Sequence, residues 1–128
     1  VLYRIPRDLL TGGIRSLGRL ALLSNAGMVI QRIRAEIEHF LREDLMMEAE
    51  METGLSLRTN RPRSYLISSL GGGTGSGMMI DLAYLLKKEL QQVGYLSPKV
   101  YAMLAGTANQ PGPVVANGQA TIKEIEYF

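Results

Sequence analysis

Hydrophobic positions in the second half of the chain fall into two short runs separated by a stretch of helical character. Residues 65–70, Tyr-Leu-Ile-Ser-Ser-Leu, and residues 99–105, Lys-Val-Tyr-Ala-Met-Leu-Ala, each predict a strand. Residues 78–93 between them predict a helix, and residues 114–128 predict another. A strand, a helix and a second strand predict a right-handed crossover in a parallel sheet covered by helices on both faces. The predicted fold class is therefore α/β.

The first half of the chain has a longer helical pattern followed by a polar segment. Ile30, Ile33 and Ile37 recur at three- and four-residue steps with charged residues on the other faces, so residues 24–52 predict one long helix. Residues 53–64 contain glycine, asparagine and proline, which favour turns and loops. This segment is predicted to be a flexible loop.

A glycine-rich run lies between the first predicted strand and the helix that follows it. It consists of Gly71, Gly72, Gly73, Thr74, Gly75, Ser76 and Gly77. Glycine can adopt positive φ and lets the backbone approach a ligand, while successive N–H groups can converge on an anion. The turn from a strand end to a helix start is also where α/β proteins hold phosphates. We therefore predict a phosphate-binding loop, with a tight turn that binds no ligand as the alternative.

Two common phosphate loops do not fit this run. A Walker loop has lysine and a hydroxyl residue after its last glycine, whereas Gly77 is followed by Met78 and Met79. The dinucleotide pattern G-x-G-x-x-G would require its third glycine at Ser76 or Met78. If the run binds phosphate, it therefore does so as a loop of a different class.

A strand ending in Ser-Leu, then GGGTGSG, then a helix resembles the signature loop of the tubulin and FtsZ superfamily of GTP-binding, filament-forming proteins. The resemblance implies a Rossmann-like domain in which residues 71–77 hold the phosphates of GTP or GDP, with Mg²⁺ accompanying the nucleotide. It also implies that Gly12 and Gly13 sense the terminal phosphate and that a loop at residues 107–117 faces the sugar, with Asn117 as the candidate contact. By the same resemblance, residues 1–128 are expected to be part of a GTPase domain.

The resemblance further implies that full-length copies associate head to tail and that an acidic loop from a neighbouring subunit completes GTP hydrolysis. No catalytic residue and no metal ligand is assigned within this chain. Two other interpretations remain open at this point. One is a nucleotide-binding scaffold protein with the same fold that does not polymerise. The other is an unrelated Rossmann-like enzyme that binds a different phosphorylated ligand.

Several charged residues near these segments have two interpretations each. Arg15 and Arg19 follow Gly12 and Gly13 closely, so they are placed to contact a nucleotide or a neighbouring subunit, or simply to form a solvated face. Asp81 suits the early turns of a helix, where a carboxylate complements the dipole, or could hold Mg²⁺ through water. His39, the only histidine, is assigned no role.

Composition narrows the class of partner. The chain has 128 residues, 46% of them hydrophobic, and a net charge of +2, which is too small to argue for nucleic acid. No apolar run of about 18 residues is present, so no membrane span is expected. The absence of cysteine excludes disulfides and thiolate metal sites and is compatible with the cytoplasm, which is the predicted location.

Overall fold

The computed structural model describes residues 8, 10–56, 61–107 and 109–127. These residues form five helices and two strands. In chain order they are α1 (Arg15–Ser24), α2 (Ala26–Phe40), α3 (Glu43–Thr53), β1 (Arg63–Ser69), α4 (Gly73–Gln92), β2 (Lys99–Ala105) and α5 (Gly112–Tyr127).

The two strands form a parallel sheet. Their register places Arg63 opposite Lys99 and Ser69 opposite Ala105. The helix between them, α4, makes the connection that parallel strands require. The predicted α/β class and the predicted strand at residues 99–105 are confirmed, and β1 begins at Arg63 rather than at Tyr65.

The core is organised around α4. This helix packs against both strands, and α1, α2 and α5 pack against α4. Its Met79 and Leu90 are buried, as are Leu22 of α1 and Leu70 after β1. The α2 helix is also attached through Arg34, whose Nε donates a hydrogen bond of 3.0 Å to the carboxylate of Glu89 on α4. Glu89 is only 4% exposed, so this ion pair is partly desolvated.

One face of the sheet lacks a helical cover within the described residues. Tyr65 and Tyr101 stack there with ring centroids 5.3 Å apart, and Ile67 beside them is 79% exposed. Helices were expected on both faces, but those that the structure describes pack together around α4 on the other face. The expectation is therefore met on one face only in this part of the chain.

The single long helix predicted for residues 24–52 is wrong, because the segment contains two breaks. Asn25 ends α1, with its Nδ2 donating to the carbonyl oxygen of Ala21 at 2.9 Å. Leu41 and Arg42 separate α2 from α3, since Arg42 has an extended backbone with φ −66° and ψ 126°. The apolar positions that suggested one helix, Ile30, Ile33 and Ile37, all lie inside α2. They indicate which face of α2 is turned inward without revealing where the backbone turns before or after it.

The predicted loop at residues 53–64 is described only in part. Thr53 is the last residue of α3, and the chain leaves the helix through Gly54 at φ 65°. Residues 57–60 lie outside the described residues, and β1 begins at Arg63. The flexibility of this loop stays a prediction.

Candidate functional site

The glycine-rich run lies where β1 passes into α4, but most of it is helical. The sequence predicted that this helix begins at residue 78, but it begins at Gly73. Residues 73–77 therefore form its first turns. Gly72 immediately precedes the helix with φ −78° and ψ 151°. No side chain of the described residues caps this helix, and its first turn contains no acidic residue. The positive end of the α4 dipole and its first N–H groups are therefore offered without a capping group.

The positive φ angles expected in this run occur elsewhere. None of residues 71–77, all of which the structure describes, has positive φ, whereas Gly12 has φ 55° and Gly13 has φ 80°. The run is glycine-rich for another reason, which Gly73 illustrates. A Cβ there would lie 2.6 Å from the Thr11 hydroxyl and 2.7 Å from the Ile14 nitrogen. Glycine at this position lets a second turn of the chain approach the start of α4 closely.

That second turn contains Gly12 and Gly13. It is closed by a hydrogen bond of 2.8 Å from the Ile14 nitrogen to the Thr11 carbonyl oxygen. The Thr11 hydroxyl lies 3.2 Å from the Thr74 hydroxyl in the first turn of α4. Two segments that are far apart in sequence, and that were both predicted to contact phosphate, are thus brought side by side.

Asn117 connects these two segments. Its Nδ2 donates to the carbonyl oxygen of Gly13 at 2.7 Å and to that of Gly71 at 3.0 Å. The residue lies on α5 rather than in the loop before it. Both donors of the amide group are directed at main-chain oxygens, so only its side-chain oxygen is left for another partner. Contact between Asn117 and a sugar stays a prediction.

The remaining residues of the run face the protein rather than a common ligand. Ser76 is 2% exposed, and its hydroxyl donates to the carbonyl of Gly72 and accepts from Arg15. A Cβ at Gly75 would overlap the Ser68 hydroxyl, and one at Gly77 would overlap the carbonyl oxygen of Arg15. At Gly72, by contrast, no heavy atom of the described residues lies within 4 Å of a Cβ. Gly72 is therefore the one glycine of this run at which an added Cβ would meet open space among the described residues.

Two residues that complete this arrangement were not identified from the sequence. A Cβ at Gly18 would overlap the carbonyl oxygen of Gly73, so this glycine lets α1 cross the start of α4. An isolated glycine in a helical pattern is a signal that could have indicated the close contact. Thr121 is fully buried and donates to the Leu70 carbonyl at 3.1 Å. No feature of the sequence distinguishes Thr121 from a surface threonine.

The arginines and acids around the site are paired with one another. Arg19 Nε lies 2.8 Å from Asp81 Oδ2, and its Nη2 lies 3.1 Å from Oδ1. Arg15 binds Glu124 and Ser76. Both oxygens of Asp81 are thus engaged, and Asp81 lies about two turns along α4 from its first residue, roughly 12 Å at 1.5 Å per residue. A role for Asp81 in holding Mg²⁺ at the helix start does not fit this geometry.

The comparison with protein families agrees with this arrangement. The sequence model of a family described as tubulin like matches residues 3–128. The chain belongs to the tubulin-like family. The match includes the Gly12–Gly13 turn, the glycine-rich run and Asn117, so all the segments of the site lie inside it. The predicted superfamily is confirmed, which disfavours an unrelated Rossmann-like enzyme. Comparisons with curated proteins and with solved structures gave no significant match.

Two further properties of this tubulin-like chain bear on its partners. Among the described helices, none is both long enough and apolar enough to cross a membrane. In the described part of the chain, no three His, Asp or Glu side chains come together as a metal site.

Proposed function

We propose that this chain is the GTP-binding portion of a tubulin/FtsZ-like filament-forming GTPase, and that the phosphates bind at the N-terminus of α4. One observation carries the proposal: the uncapped start of α4 meets the Gly12–Gly13 turn, and Asn117 bonds both segments. Helix N-termini without a side-chain cap attract anions through their free N–H groups and their dipole. The tubulin-like family supports guanine as the base.

The described residues fit a phosphate group in the following way. The main-chain N–H groups of Gly72, Gly73 and Thr74 would hold the phosphate oxygens, because the space before Gly72 is open. The adjacent hydroxyls of Thr11 and Thr74 would add donors, and the Gly12–Gly13 turn would adjoin the terminal phosphate. When bound, the nucleotide supplies the phosphoanhydride bond. Mg²⁺ would be held mainly by phosphate oxygens and water, as is usual for this ion.

Hydrolysis and assembly belong to the same proposal. Asp81 and Glu124 lie on the helices that flank the site, and both are held in ion pairs with arginines. Neither is therefore placed to orient an attacking water. We infer that this role falls to an acidic group from a second copy of the protein, associated head to tail in a cytoplasmic filament.

A non-polymerising nucleotide-binding scaffold with the same fold is the second candidate. The contacts of Asn117 with Gly13 and Gly71 do not separate it from the first candidate, because they belong to the phosphate site that both would have. The two candidates share the phosphate site and differ in assembly. They are separated by light scattering of the full-length protein after GTP is added, which increases only if filaments form.

The test of nucleotide binding is a calorimetric titration of the natural full-length protein with GTP, GDP, ATP and NAD in the presence of Mg²⁺. The expected result is selective binding of GTP and GDP, with a Kd of about 1 μM or lower, equivalent to roughly 8 kcal/mol. A preference for NAD or ATP would contradict the guanine assignment. Absence of binding to all four nucleotides would contradict the phosphate site itself.

A further inference from the structure

We propose that Arg15 is a positioning residue that sets the preference of the site for a nucleoside triphosphate over a diphosphate. The inference rests on the proposed function, because it assigns Arg15 a role in the same nucleotide site. Arg15 would act without touching the nucleotide, by fixing the Gly12–Gly13 turn relative to α4 and α5.

The contacts of Arg15 join three helices. Its guanidinium binds both carboxylate oxygens of Glu124 on α5, Nη1 to Oε1 at 3.0 Å and Nη2 to Oε2 at 2.5 Å. On α4 it binds Ser76 twice, from Nε to the hydroxyl at 3.3 Å and from Nη2 to the carbonyl oxygen at 3.2 Å. The side chain is only 16% exposed. Its partner Glu124 is 48% exposed, so burial lies on the arginine side of the pair. Such a planar, bidentate arrangement fixes orientation as well as distance.

The position of Arg15 in the chain links this arrangement to the site. It is the first residue of α1, and Gly13 precedes it by only two positions. Its own carbonyl oxygen is packed against Gly77 of α4, at a distance that leaves no room for a Cβ. The main chain of Arg15 is therefore held against α4, and its side chain is held by α4 and α5. A shift of α1 would carry the Gly12–Gly13 turn with it, away from the position assigned to the terminal phosphate.

Arg19 provides a matched control on the same helix. It also joins α1 to α4, through its ion pair with Asp81, and it has the same charge. Its side chain is 61% exposed, and among the described residues its guanidinium pairs with Asp81 of α4 and not with α5. Solvent screening and side-chain freedom weaken a pair of this kind. Loss of Arg19 should therefore leave the turn in place.

The experiment measures the Kd of GTP and of GDP for the full-length protein and for Arg15→Ala, Arg15→Lys, Glu124→Gln and Arg19→Ala. Arg15→Ala is expected to weaken GTP binding about tenfold and GDP binding much less, so that the ratio of the two Kd values changes. Arg15→Lys keeps the positive charge but lacks the planar guanidinium that binds a carboxylate through two hydrogen bonds. Its ratio of Kd values should therefore resemble that of the alanine variant. Glu124→Gln should change the ratio in the same direction by a smaller factor, and Arg19→Ala should leave it unchanged.

The ratio of the Kd values for GTP and GDP distinguishes a positioning role of Arg15 from a general loss of stability. A merely structural role would weaken the binding of both nucleotides equally. An equal loss for both nucleotides, or wild-type affinities in Arg15→Ala, would overturn the inference while leaving the proposed function intact. If Arg15→Ala does not fold, an unchanged ratio in Glu124→Gln overturns it instead. Absence of guanine nucleotide binding by the wild-type protein would remove the proposed function and this inference together.

Discussion

The two glycine-rich segments of the site contain glycine for different physical reasons. Gly12 and Gly13 adopt φ 55° and 80°, and the space around their Cβ positions is almost free. In residues 71–77 no φ is positive, yet a Cβ at Gly73 or Gly77 would overlap a neighbouring segment. The first segment requires glycine for its backbone conformation, and the second mostly requires it for close packing. Glycine enrichment alone does not reveal which cause applies, but substitution by alanine does.

The largest loss of stability is expected for Gly77→Ala. The added Cβ would overlap the carbonyl oxygen of Arg15, a main-chain atom that cannot move aside without shifting α1. Because the overlapped atom belongs to the main chain, the cost should lie at or above the upper end of the usual range of about 1–3 kcal/mol for overpacking. After the gain of up to about 1 kcal/mol from alanine in a helix, a net loss of about 2 kcal/mol or more is expected. Urea unfolding followed by circular dichroism would measure the change.

Gly27→Ala is the matched control for that measurement. Gly27 also lies in a helix, α2, and no heavy atom of the described residues lies within 4 Å of its Cβ position. The control should be more stable than the wild type by roughly 0.5–1 kcal/mol. If Gly77→Ala were stabilised to the same degree, the close contact between α1 and α4 would not hold as described.

The same reasoning changes how the glycine-rich run should be tested. The sequence suggests that replacing Gly73 and Gly75 by alanine would remove phosphate binding and preserve helicity. In the structure both added Cβ atoms would overlap other parts of the chain. The one at residue 73 would overlap the Gly12–Gly13 turn, and the one at residue 75 would overlap the Ser68 hydroxyl. Loss of nucleotide binding in that double variant would not distinguish a lost phosphate contact from a displaced helix.

A smaller loss of stability is expected for Gly13→Ala. Here the cost arises from φ 80°, since the nearest atom to an added Cβ is Asn117 Nδ2 at 4.0 Å. The left-handed region costs a residue with a Cβ about 1–2 kcal/mol, and asparagine tolerates it better than other residues. Gly13→Asn should therefore be the more stable of the two variants in urea unfolding. Equal stability of both variants and the wild type would show that this turn does not require glycine.

Local patterns in the sequence predicted the parts of the fold that depend on local properties. The strand at residues 99–105 and the parallel connection through α4 follow from apolar runs and their spacing. The start of α4 at Gly73 was missed, because glycine disfavours helices and only the close approach of the Gly12–Gly13 turn makes it suitable there. The bridging of Gly13 and Gly71 by Asn117 joins residues that are distant in sequence, and a single sequence carries no signal for such a pairing.

The same limit explains the outcome for the arginines. Proximity in sequence to Gly12 and Gly13 suggested contact of Arg15 and Arg19 with a nucleotide or a neighbouring subunit, with a solvated face as the alternative. Their actual partners, Glu124 and Asp81, lie on α5 and α4. Which carboxylate reaches each arginine depends on how the three helices pack, and helical periodicity specifies only the faces.

The smallest change in stability is expected for Gly72→Ala. This variant also tests most directly whether any glycine of residues 71–77 serves the ligand rather than packing. With φ −78° and ψ 151°, Gly72 has a backbone that any residue can adopt, and no heavy atom of the described residues lies within 4 Å of the new Cβ. Stability should remain within about 0.5 kcal/mol of the wild type.

The affinity of Gly72→Ala for GTP should nevertheless fall about tenfold, because the methyl group would enter the space assigned to the phosphates. Gly27→Ala should keep the wild-type affinity, which controls for glycine replacement in general. Unchanged GTP binding by a stable Gly72→Ala variant would mean that Gly72, like most of its neighbours in the run, serves the packing of the chain rather than the ligand.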